Sequence, residues 1–144
     1  MKKILVPVDF SDITTEVLDY AIHLANEDSS SITVLHVAPP SPIFPGPDAE
    51  PIMMQTYVNE ELQREKEELR AITEHIQKQG VEANSVLLQG SIIDTIIDEA
   101  KEMQADMIVM GKESHGLLYR TLLGTTSEGV IRRARIPVLI IPEK

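Results

Sequence analysis

The stretch Asp106–Pro137 reads DMIVMGKESHGLLYRTLLGTTSEGVIRRARIP. It opens on a short apolar run that stops at Gly111. It continues through a loop carrying Gly111, Gly116 and Gly124, and it ends in a segment with helical features. Thr125 followed by Glu128 fits a capping box, in which the two side chains satisfy orphan N–H groups at a helix start. A helix is therefore predicted over 126–134. The order is strand, glycine-bearing loop, helix start. Such a start aims N–H donors and the positive end of the peptide dipole at one point, which suits a phosphate. Glycine lets the main chain come close to a ligand.

Working outward, residues 3–9, KILVPVD, read as a short buried strand. Pro7 has no N–H for a ladder and is expected at the strand's end. Ser11 or Asp12 can cap a helix over about 12–27, with Ile13, Val17, Ala21, Leu24 and Ala25 on one face. SITVLHVA, 31–38, is a second strand. Residues 39–51 hold six of the nine prolines and are expected to form a mobile loop rather than an interdomain linker.

A long helix is predicted over 52–79, with Val58, Leu62, Leu69, Ile72 and Ile76 as its apolar stripe. Glu60–Arg64 and Arg64–Glu68 read as exposed i,i+4 pairs, and the run NEELQREKEEL as a solvated face. Gly80 stops the helix. VEANSVLLQ, 81–89, is a third strand, polar enough at its start for a sheet edge. A helix over 92–104, a fourth strand over 106–110 and a fifth over 136–142 complete the alternation.

The pattern βαβαβαβαβ means one α/β domain over residues 1–144: a single doubly wound, five-stranded parallel sheet with helices on both faces. In such a sheet ligands bind beyond the C-terminal strand ends, where the strand order reverses. With order 3-2-1-4-5 that point lies between strands 1 and 4, so Asp9 and Gly111 are expected to face one crevice.

Composition narrows the function. Aromatic residues make up 3% and Trp is absent, which argues against stacking platforms for single-stranded nucleic acid. A net charge of −10 disfavours a phosphate-backbone partner. Cysteine is absent, which removes disulfides, thiolate metal sites and cysteine nucleophiles. No apolar run reaches the ~20 residues of a membrane span. The apolar start is broken by Pro7 and Asp9, unlike a signal peptide. A cytoplasmic protein without membrane or nucleic-acid partners is expected.

His23, His36, His75 and His115 lack metal-ligand spacing, and no metal site is expected. His36 reads as a packed core histidine and His115 as a solvated loop residue. There is no G-x-S-x-G elbow and no Walker lysine, so catalysis is expected to amount to slow ATP hydrolysis at most. Arg132, Arg133 and Arg135 complement the dipole at a helix C-terminus. The last strand's outer edge invites pairing with a second chain.

MGKESHGLLYRTLLGTTSEGVIRRARIPVLIIP, together with KILVPVDFSD and TVLHV, resembles the signature of universal stress proteins over nearly the whole chain. The resemblance implies the 3-2-1-4-5 sheet and a homodimer, often paired through the last strand, here 136–142. It also implies an adenine nucleotide, ATP, ADP or AMP, with or without Mg2+. The nucleotide-binding signature G-x2-G-x9-G-[ST] falls on Gly111, Gly124 and Thr125, with Ser114 at its second glycine. By the same resemblance Asp9 contacts the ribose, Val37 meets adenine through its backbone, and Pro7 and Val8 line the base. Met110 borders that pocket, and Lys112, Ser114 and Thr126 join Gly111, Gly124 and Thr125 around the phosphates. The implied function is a nucleotide-binding regulatory module of the stress response. The alternative, with Ser114 spoiling the site, is a dimeric interaction protein without nucleotide.

Overall fold

The computed structural model describes residues 2–39, 51–112 and 124–143, with only the main chain over 51–57. The expected loop lies, but for its two ends, outside the described residues, as do Ser114 and His115. The elements in chain order are β1 (Lys3–Pro7), α1 (Thr14–Asp28), β2 (Ser31–Ala38), α2 (Pro51–Lys78) and β3 (Ala83–Gln89). They are followed by α3 (Ile92–Glu102), β4 (Met107–Gly111), α4 (Thr125–Arg133) and β5 (Val138–Ile141). The strands form one five-stranded sheet of order β3-β2-β1-β4-β5, every pair parallel. This is the expected topology, with β3 and β5 at the edges.

Side-chain alternation along the strands sorts the core into two layers. Ile4, Val6, Ile32, Val34 and Val109 meet α1 and α2 through Val17, Ala21, Leu69 and Ile76. Leu5, Leu35, Ile108 and Met110 meet α3 and α4 through Ile96, Ile97 and Val130. Strand interiors that are apolar on both faces follow directly from this sandwiching.

The alternation also explains Pro7. The Lys3 carbonyl accepts from Asp106 N at 2.8 Å, on the β4 side, whereas Val8 N donates to the Leu35 carbonyl at 2.8 Å, on the β2 side. Odd residues of β1 thus address β4, and Pro7 falls where the next donor toward β4 is due. It has none to give. The β1–β4 register runs only through Ile4↔Met107 and Leu5↔Ile108, and the two strands part above it.

Several local readings need correction. The N-cap of α4 is Gly124, which makes no side-chain cap bond. Thr125 is its first residue, so the Thr125–Glu128 capping box does not form. Glu128 instead pairs with Arg132, 2.7 Å from its Nη2. Neither Ser11 nor Asp12 caps α1. Its N-cap is Ile13, because the Asp9 carboxylate accepts from Ser11 N at 3.0 Å and the Ser11 carbonyl from Thr14 N at 3.0 Å, winding those residues into a preceding turn.

Arg64 pairs with Glu61, three residues away, in place of the expected i,i+4 partners. α2 ends at Lys78, and Gly80 takes φ +86 just beyond it. Along β5, Val138, Leu139 and Ile140 are half-buried and only Ile141 is buried, as suits an edge strand.

Candidate functional site

A crevice opens where β1 and β4 diverge. Together with its solvent-open mouth it encloses ≈ 580 Å³. Of the residues expected there, Pro7, Val8 and Asp9 line it from β1 and the turn beyond, and Val37 lines it from β2. Met110 and Gly111 line it from the end of β4, and Thr126 from the first turn of α4. Gly124 and Thr125 flank this wall as the N-cap and first residue of α4 without lining the crevice. Lys112 is half-buried beside it, its N–H donating to the Ile141 carbonyl at 2.8 Å.

The chemistry differs from wall to wall. Val8 and Met110 are buried apolar surfaces. Asp9 is exposed; one of its oxygens takes the Ser11 N–H and orders the turn, as a strand-end aspartate does. On β2 the Leu35 carbonyl faces β1, so by alternation the N–H and C=O of Val37 face the same way, beyond the Val8 bond. On α4 the first intrahelical bond runs from Glu128 N to the Gly124 carbonyl at 3.0 Å. The N–H groups of Thr125, Thr126 and Ser127 thus precede the first intrahelical bond among the described residues, at the donor-rich end of the helix.

Gly111 is shaped by packing as well as by the crevice. A Cβ there would stand 2.9 Å from Ile13 Cγ2 and 3.2 Å from Val17 Cγ2, so the glycine lets α1 lie directly on the end of β4. Ser127, fully buried, donates its hydroxyl to the Gly111 carbonyl at 2.9 Å and pins α4 to β4. Sequence reasoning passed over Ser127, whose only signal is its place three residues after Gly124.

It also passed over the pair behind the β1 wall. His36 lines the crevice. Its Nδ1 lies 2.8 Å from the Val8 carbonyl, and its Nε2 lies 3.5 Å from Glu65 Oε2. Phe10 stacks on the ring with centroids 4.4 Å apart, and does so at φ +62, an uncommon conformation for a large side chain. Glu65 is 9% exposed, an exception to the solvated reading of the acidic run. On the opposite flank Arg133 hydrogen-bonds Asp94 and, with its charge, holds that carboxyl below the usual carboxylate range.

The universal stress protein family model matches residues 1–142. The chain belongs to the universal stress protein family. It is 34% identical to universal stress protein MJ0531 of Methanocaldococcus jannaschii over 141 residues, covering 97% of this chain and 81% of that protein. Universal stress protein UspA from Lactobacillus plantarum superposes with a TM-score of 0.81 at 25% identity, over 97% of both chains. The universal stress protein from Archaeoglobus fulgidus, solved in complex with dAMP, superposes with a TM-score of 0.68 at 28% identity, over 98% of both chains. Universal stress proteins thus include members that bind adenine nucleotides. Among the described residues of this universal stress protein, no helix is long and apolar enough to cross a membrane.

Proposed function

We propose that this universal stress protein binds an adenine nucleotide in the β1–β4 crevice and acts as a regulatory module whose partner contacts follow occupancy. The observation that carries the reading is the convergence of Asp9, Gly111 and the α4 start on one crevice with apolar walls. The base lies against Pro7, Val8 and Met110 with the Val37 main chain at its edge, and Asp9 takes the ribose hydroxyls. The α4 start, with Gly124, Thr125 and Thr126, receives the phosphates, where N–H groups and the helix dipole favour an anion. Lys112 and Ser114 belong to the same phosphate-side set, and ATP binds with or without Mg2+. The dAMP-bound relative supports the ligand class.

A second reading rests on Ser114, which stands at the family signature's second glycine, and on β5, the outermost strand of its edge. In it the protein is a dimer paired through 136–142 that works by interaction without nucleotide. The deciding experiment is calorimetric titration of ATP and AMP into wild type, Ser114→Gly and Asp9→Ala, after mass spectrometry of molecules released on denaturation. Binding by wild type that weakens roughly tenfold in Asp9→Ala is the expected result. Silence in wild type and Ser114→Gly alike sinks the nucleotide reading and leaves the dimer.

A further inference from the structure

The crevice reading gives His36 and Glu65 no task, yet their geometry is demanding. A carbonyl only accepts, so the His36 nitrogen 2.8 Å from the Val8 carbonyl must carry a hydrogen. That leaves Nε2 facing Glu65 Oε2 at 3.5 Å, with both side chains 12% exposed. This carboxylate oxygen has no hydrogen-bond partner among the described residues. A neutral ring protonated on Nδ1 would turn a lone pair toward an ionised carboxylate and leave the buried charge unbalanced, a costly arrangement. One more proton, on Nε2 or on Glu65, removes the conflict.

The ring's neighbours sharpen this. From α2 the facing titratable group is Glu65. From the turn after β1 come Phe10, stacked on the ring, and Asp9, on the same crevice. From β3 the residue in register is the apolar Leu87. We infer that His36 and Glu65 share one proton beyond that on Nδ1, and that this proton clasps α2 to the base-side wall, making His36 a positioning residue for the ligand. The positioning role rests on the nucleotide reading above.

The ring occupies the Val8 carbonyl, the acceptor next in line for the Val37 N–H along the β1–β2 ladder. Holding it there keeps the Val37 main chain for the edge of the base. Removal of the shared proton at high pH sets two lone pairs against each other, frees the ring and slackens the wall.

The test uses the full chain and Glu65→Gln, whose amide can donate to Nε2 with no extra proton. Nitrogen-15 spectra of the His36 ring and carbon-13 spectra of the Glu65 carboxyl are read at neutral pH. A doubly protonated ring, or a protonated Glu65, is expected. A singly protonated ring beside an ionised Glu65 overturns the shared proton.

AMP is then titrated from pH 6 to 9. Wild-type affinity is expected to fall roughly tenfold as pH rises, as for loss of a hydrogen bond to a charged group, while Glu65→Gln stays flat. The same pH dependence in both proteins overturns the positioning role. If neither protein binds AMP, the nucleotide reading has failed on its own account, and the ligand-free Val8 and Val37 amide signals decide. Signals that move with pH in wild type and rest in Glu65→Gln support the clasp. Signals that move alike or not at all overturn it.

Discussion

On the β1 side of the crevice an imidazole, a carboxylate and a main-chain carbonyl meet below the surface. On the β4 side a glycine, two branched side chains and a serine hydroxyl meet instead. The β1 wall is held by polar groups whose partners must be present and correctly protonated. The β4 wall is held by close contact between Gly111 and α1 and by one neutral hydrogen bond from Ser127. The contrast matters because a ligand between the walls feels both. One can change with the solution, whereas the other changes only if atoms are added or removed.

The largest expected effect comes from breaking the polar wall. His36→Leu removes the ring but leaves the Glu65 carboxylate buried and the Val8 carbonyl without its donor. A loss of about 2–3 kcal/mol is expected in urea unfolding, and a loss under ~0.5 kcal/mol would mean the pair is already solvated. Gly111→Ala tests the packed wall and should cost about 1–2 kcal/mol through overpacking. That cost should shrink in an Ile13→Ala background, because the nearer of the two contacted side chains is gone; equal costs in both backgrounds would show that the Ile13 contact does not set the need for glycine.

The smallest effect belongs to Asp94, an exposed carboxylate on α3. Its folded-state pKa is depressed, first by the hydrogen bond from Arg133 and then by that residue's charge. The stabilisation is therefore present above the ordinary value of 3.8 and is lost as pH falls through the depressed folded value. Asp94→Asn should unfold slightly earlier in urea at pH 7 and match wild type in strong acid; a gap that persists in acid would point to a cause other than ionisation.

The two walls were not equally legible in the sequence. The β4 wall announces itself, since β-branched runs, Gly111, Gly124 and two threonines are local signals with local causes. The parallel sheet with helices on both faces followed from strand–helix alternation, whereas its strand order came from the family resemblance. The details that failed depend on one-residue offsets. Moving the start of α4 back to Thr125 put a glycine at the cap, and a turn built on Asp9 withdrew Ser11 and Asp12 from capping α1.

The β1 wall was hidden because its meaning is tertiary. Glu65 sits between Leu62 and Leu69 at helical spacing, on the apolar stripe itself, but the charges around it made the whole run read as solvent-facing. Only the meeting of α2 with β2, which no local pattern encodes, brings Glu65 to His36.

Pro7 adds a consequence of its own. The central strands form a two-pronged fork, and the residue at its crotch lacks the donor that would stitch the prongs together. A fork that cannot zip itself shut offers its guest no rival. An incoming molecule has no β1–β4 hydrogen bond to displace, and the opening need not be regenerated after each departure.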